Sequence, residues 1–289
     1  MPSITLLAQL FTEKKHLKPK LGRWVKTSLI ISLAVALLTA CSSSPTGRQQ
    51  FKIFPSAEID KMGVQSFLQM KAETPATTNT LTSDYVSCVA SLVIAQVPAK
   101  YGISNWEVVV FDSEQVNAFA LPGGKVGIYT GLLEVANNQH QLAAVIGHEL
   151  AHVLAEHSNE RVSTTFASQT GLDLAYKMSG EPSQEKDQLF ALLGVGSQVG
   201  IILPFSRIHE SEADIIGLEL MAKAGFDPQQ AVNLWQNMAK ASGGNSQPEL
   251  LSTHPSNENR IKDLQKEMPK AKEYYLQAQA AGRFPNCQL

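Results

Sequence analysis

The chain has 289 residues, 44% hydrophobic and 17% charged, with a formal net charge of −2. Without its first 40 residues it carries 18 Lys and Arg against 25 Asp and Glu, a balance near −7. An acidic chain without basic runs excludes nucleic acid as a partner, and 249 residues suffice for one domain with a large core.

Residues 1–26 hold Lys14, Lys15, Lys18, Lys20, Arg23 and Lys26 against a single acid, Glu13, and an apolar run from Ser28 to Ala40 follows. A basic region followed by a short apolar core has the pattern of an export signal, and the run is short for a spanning helix of about 20 residues. Its end, Leu38-Thr39-Ala40-Cys41, resembles the lipobox of bacterial lipoproteins. Residues 1–40 are therefore read as a lipoprotein signal peptide, with Cys41 lipidated as the mature N-terminus. Ser42 follows in place of the aspartate linked to inner-membrane retention, so the expected location is the outer membrane, facing the periplasm. Lipid on Cys41, not a basic patch, would hold the protein there.

Residues 41–50 read as a polar, lipidated tether, and residues 51–289 as a single domain. Apolar residues at Ile59, Met62, Val64, Phe67 and Leu68 predict a helix from Ser56 to about Lys71, capped by Ser56. Ser83 to Val97 is a second amphipathic helix and contains Cys88. Trp106 to Phe111, Val116 to Leu121 and Val126 to Thr130 are strand-like, and everything later is mostly helical. Leu189 to Phe205 is apolar but interrupted by Ser197 and Gln198; it is expected to be a helix buried against the helix described next. With Cys41 assigned to lipid, Cys88 and Cys287 remain in a compartment that permits disulfides. They are either two buried thiols or one bond, and the bond is expected.

His148-Glu149-Leu150-Ala151-His152 reads H-E-x-x-H within an apolar, helix-forming run from Gln141 to Ala155. Four residues apart on a helix, His148 and His152 share a face and can aim both imidazoles at one ion. Glu149, one step round, can reach a water on that ion. This is the geometry of a zinc hydrolase with a glutamate base. For the third ligand, Ala155 and Ser158 depart from the metzincin pattern. His157 lies five residues past His152 and points off the ligand face. Glu156 shares the face but lies about 12 Å along the axis from His148. Both are read as solvated. Glu210 and Asp214 are again four apart, with Glu212 pointing away. A carboxylate ligand with a second carboxylate one turn on, fixing a ligand imidazole through its other N–H, suits this pair.

H-E-x-x-H followed by Glu210-x-Glu212-Ala213-Asp214-x-x-Gly217 resembles the Ste24/HtpX-type zinc metallopeptidases, closest to their periplasmic, LoiP-like lipoprotein members. Asn117 to Gly124, Leu203 to Arg207, and Thr253-His254-Pro255 with Arg260 agree with that family's pattern and order. The resemblance implies an α+β, mainly helical zincin fold of the gluzincin kind, with a small sheet beside the active helix. It implies one zinc on His148, His152 and Glu210, with Glu149 as base and Asp214 behind a ligand. It further implies that Gly123, Gly124 and Val126 belong to a short strand and turn that binds extended substrate through its backbone. His254 is expected to face the metal, either donating to an oxyanion or occupying the open zinc position. The activity implied is endopeptidase action on unfolded or misassembled envelope proteins, in quality control, possible partners being other envelope proteases or assembly factors. The competing reading is an outer-membrane lipoprotein scaffold or chaperone with a closed or vestigial zinc site.

Overall fold

A computed structural model describes residues 41–197, 203–241, 250, 254 and 260–289. Residues 1–40, read above as the signal peptide, lie outside them. Contacts divide the chain into Met1–Cys41 and Ser42–Leu289; the second unit is described below, with Cys41 only as the first residue of a strand.

The fold is α+β and mainly helical. A two-stranded ribbon, β1 (Cys41–Ser43) and β2 (Gln49–Phe51), leads into α1 (Ser56–Glu73) and α2 (Thr80–Ile94). A three-stranded sheet follows: β3 (Glu107–Phe111), β4 (Ala118–Leu121) and β5 (Lys125–Tyr129), in the order β3-β5-β4. The remainder is α3 (Gln139–Leu154), α4 (His157–Met178), α5 (Gln184–Ser197), α6 (Leu203–Lys223), α7 (Gln229–Ala241) and α8 (Arg260–Ala280).

Several expectations change in detail. The polar tether is folded: Ser44 N–H donates to Arg48 O (2.8 Å), closing the ribbon, while Gln50 is buried and donates to Ala155 O (2.6 Å). α1 begins after Pro55 without a side-chain cap, because the Ser56 hydroxyl donates to Glu156 instead. α2 starts three residues earlier than expected, since Asn79 accepts from Thr82 N–H and so caps it. The Leu189–Phe205 expectation fails for the part that lies in α5, while Leu203 to Phe205 begin α6, which packs on α3. Leu189, Leu192 and Leu193 on α5 are exposed, and Phe190 meets Tyr176 of α4 edge-on at 5.2 Å, so α5 packs on α4 and not on α3. Among the described residues no helix is long and apolar enough to cross a membrane.

In the sheet, β5 pairs parallel with β3 and antiparallel with β4. Val126 therefore has neighbours on both sides, Val108 and Ala120, and is fully buried. It cannot add a peptide strand, which corrects its expected substrate role; β4 is the edge strand on that side, and it lies against α3. Gly123 and Gly124 form the β4–β5 turn at φ +81° and +74°, wedged against Val64 of α1 and against Ile103.

α3 is the centre of the core, buried along its length from Gln141 to Leu154. Asn138 caps it by accepting from the N–H groups of His140 and Gln141. A Cys88–Cys287 disulfide ties the C-terminal tail to α2 across 199 residues of chain. The same tail meets the start of α3, where Cys287 N–H donates to Gln139 (2.8 Å).

α3 and α6 cross at Gly147 and Gly217. A Cβ on Gly217 would stand 2.6 Å from the His148 backbone nitrogen, and one on Gly147 would stand 2.7 Å from Gly217 O. Both obstacles are backbone atoms and cannot swing aside. Gly217→Ala is therefore expected to push the helices apart and to destabilise the protein by about 1–3 kcal/mol, read as a fall in urea midpoint and in zinc retained on dialysis. Wild-type values for both would contradict the crossing.

Candidate metal centre

The glycine crossing brings one face of α3 against one face of α6. His148 and His152 project from α3 with their Nε2 atoms 3.1 Å apart. Glu210 of α6 reaches both, with Oε2 3.2 Å from His148 Nε2 and Oε1 3.5 Å from His152 Nε2. His254 completes the group, its Nδ1 3.1 Å from each Glu210 oxygen and 3.3 Å from His148 Nε2. Candidate ligand atoms of these four residues lie within 4.8 Å of one another. Of the Thr253-His254-Pro255 stretch only His254 is among the described residues.

Asp214, one turn past Glu210, accepts from His148 Nδ1 at 2.9 Å. Arg260 also donates to Asp214 (2.7 Å) while its guanidinium lies 3.4 Å from the Trp235 ring centre. With Nδ1–H committed to Asp214, Nε2 is the His148 nitrogen that faces the cluster. Glu149 is 2% exposed. Its buried Oε1 has no hydrogen-bond partner, and His254 Nε2 stands 3.5 Å away. A desolvated carboxylate oxygen of this kind needs a partner.

Electrostatics follow from burial and crowding. Burial pushes the Glu210 carboxyl up, but the hydrogen bonds from His148 and His254 outweigh it and hold the group well below the usual carboxylate range. Burial and Arg260 push His148 down, yet Asp214 and Glu210 prevail and raise it to about 9. Burial, then the neighbouring His148, drives His152 well below its ordinary value. Two imidazoles and a carboxylate, buried and converging with a fourth donor, fit zinc by ligand type and number. Zinc must displace the proton that His148 holds without it.

The sequence reading placed His148, His152, Glu210 and Asp214 together, and the structure does so. It misread His157, which is fully buried with Nδ1 2.9 Å from His152 Nδ1. The reason is local. α3 ends at Leu154, and Glu156 adopts φ +50°, its carboxylate held by Lys52 and Ser56. The helical wheel that turned His157 away stops there, and the bend carries it back over His152. Burial lowers its pKa to about 4 despite Glu212. Glu212 does point away from the cluster, as expected, but into a second buried group with Arg48, Glu160 and His209. A signal for it existed: His157-x-x-Glu160 and His209-x-x-Glu212 repeat one spacing on the two helices that supply the ligands.

An H-E-x-x-H pair on a buried helix, a glutamate from a second helix and an edge strand alongside define a metallopeptidase of the zincin class. Comparison makes the assignment specific, for residues 80–268 match Peptidase family M48, and the chain belongs to that family. It is 38% identical over 191 residues to the mitochondrial metalloendopeptidase OMA1 of Schizosaccharomyces pombe, covering 63% of this chain and 52% of that protein. It is 31% identical over 260 residues to the OMA1 metalloendopeptidase of Danio rerio, covering 86% of this chain and 54% of that protein. It is 30% identical over 200 residues to the beta-barrel assembly-enhancing protease of Yersinia pestis, covering 68% of this chain and 40% of that protein. The chain thus spans only 40–54% of the length of these relatives.

Proposed function

We propose that this chain is a zinc-dependent endopeptidase, anchored by lipid on Cys41 at the outer membrane, that cleaves unfolded or misassembled envelope proteins. The observation that carries the enzymatic reading is the convergence of His148, His152 and Glu210 around one point, with the unpartnered Glu149 oxygen beside it. The compartment rests on the lipobox-like end at Cys41 and on the likeness to the beta-barrel assembly-enhancing protease of Yersinia pestis. Extended substrate would add to the edge of β4 rather than to β5, main chain to main chain, which selects segments already unfolded.

Zinc, when bound, supplies Lewis acidity to the scissile carbonyl and lowers the pKa of a water. Glu149 takes the proton of the attacking water and passes it to the leaving amine. Asp214 fixes the His148 tautomer, and Arg260 holds Asp214 in place. Glu149→Gln keeps size while losing the proton acceptor, so cleavage of casein should fall at least ~100-fold with zinc retained. Glu210→Gln removes an anionic ligand and should lower zinc content together with activity. A metal-free Glu149→Gln beside a loaded, active Glu210→Gln would reverse the assignment.

His254 supports the occupancy role over the oxyanion role. Its Nδ1 sits among the ligand atoms, not outside them, so it closes the site at rest. This also bears on the competing reading of a scaffold with a closed site. His254→Ala should raise turnover with zinc retained; a drop in turnover would favour the oxyanion role, and no cleavage by either form would favour the scaffold.

Lipid attachment has its own test. Cys41→Ala should move the protein from the membrane to the soluble fraction, since acylation is the proposed hold. A variant that stays in membranes after a salt wash would put the anchor elsewhere.

A further inference from the structure

Behind the metal cluster lies a second buried group that this reading of the site leaves without a role. α4 contributes His157 and Glu160, and α6 contributes His209 and Glu212, all 4% exposed or less. They pair crosswise: His157 Nε2 lies 3.1 Å from Glu212 Oε2, and His209 Nε2 lies 2.9 Å from Glu160 Oε2. The two imidazoles stack at 4.2 Å with planes 17° apart.

Two histidines and two carboxylates suggest a second metal site, but the place of the cation is taken. The Arg48 guanidinium donates to both Glu160 oxygens (2.8 and 2.7 Å) and, through Nε and Nη2, to Glu212 (3.0 and 2.9 Å). Thr46 also donates to Glu212. Both residues come from the ribbon that begins at Cys41. Set against one guanidinium, Glu160 and Glu212 are both held in the charged form. Both are carboxylates and can only accept.

That fixes every proton in the chain leading to the metal. Because Glu212 accepts, His157 Nε2 carries the hydrogen. His157 Nδ1 is then a lone pair, and His152 Nδ1, 2.9 Å away, must be the donor. His152 Nε2 is left free to ligate. The opposite polarity would set the His157 Nε2 lone pair against a carboxylate and would put a proton on His152 Nε2, where the ligand bond must form. His148 gets the same service directly from Asp214. For His152 the bend at Glu156 puts an imidazole between ligand and carboxylate.

We propose that His157 and Glu212 are positioning residues for the zinc ligand His152, and that Arg48, from the ribbon next to Cys41, locks them. The first link of the folded chain is thereby tied to the metal centre: Arg48 holds Glu212, Glu212 sets the His157 tautomer, and His157 sets that of His152. The inference rests on the reading of His152 as a ligand.

The test uses the full chain and reads zinc affinity by chelator competition, the visible spectrum of the cobalt-substituted protein, and the melting temperature of the metal-free form. His157→Leu removes the acceptor for His152 Nδ1–H and should weaken zinc binding about 10–100-fold and shift the cobalt bands. His157→Gln, which can accept from His152 and donate to Glu212, should recover most of that loss. Glu212→Gln should fall between. Ser163→Ala, which removes a buried hydroxyl bonded to Ile53 N–H and Asn159, should lower the melting temperature and leave zinc affinity unchanged. The proposal is overturned if His157→Leu binds zinc within about threefold of wild type with unchanged cobalt bands. If His157→Leu does not fold, Glu212→Gln decides by the same readings, and wild-type behaviour overturns the proposal. Wild-type protein that binds no single zinc would instead remove the ligand reading beneath it.

Discussion

The close crossing of α3 and α6 is the constraint on which the rest depends. Two glycines let backbone meet backbone at Gly147 and Gly217, within a residue of the first ligand. Only at that separation does the Glu210 carboxylate reach both imidazoles of α3 and Asp214 reach the back of His148. The apolar core stabilises this approach: α3 is buried from Gln141 to Leu154, α6 and α7 pack on it, and α8 packs on α6 and α7. The Cys88–Cys287 bond adds to it by fixing the tail beside the start of α3. The metal centre is thus built from two rigid elements, as pre-organised sites require.

Charge is arranged in two layers around that crossing. The inner layer holds the proposed ligands with Glu149; the outer layer holds Asp214 with Arg260 on one side and the crossed histidine–glutamate pairs with Arg48 on the other. Each buried carboxylate of the outer layer meets an arginine, which offsets the cost of burying it. The cations come from distant parts of the chain, Arg48 before the first helix and Arg260 at the start of the last.

Much of the site was legible because helix periodicity is a short-range rule. His148, His152, Glu210 and Asp214 lie within unbroken helices, so spacing put each pair on one face, and the family resemblance implied that the two faces meet at one metal. His157 was misread for the same reason: the rule was carried past the bend at Glu156, where it no longer holds. The second cluster depends on Arg48, 112 residues from Glu160 and 164 from Glu212, and no local pattern announces a contact at such range. The tether was misjudged because its polar composition matched a solvated linker, whereas its polar side chains meet buried partners. Val126 shows a further limit: alternation identifies a strand, but only the pairing order says which strand is the edge. On α5, an apolar run was taken as buried, yet its leucines face outward, since composition does not decide which surface covers it.

The central claim is that this crossing assembles a single zinc centre from His148, His152 and Glu210. Anomalous diffraction at the zinc edge from crystals of the zinc-loaded protein tests it most directly. One peak at about 2.0–2.2 Å from His148 Nε2, His152 Nε2 and a Glu210 oxygen is the predicted result. A peak among His157, Glu160, His209 and Glu212, or none between α3 and α6, would contradict it.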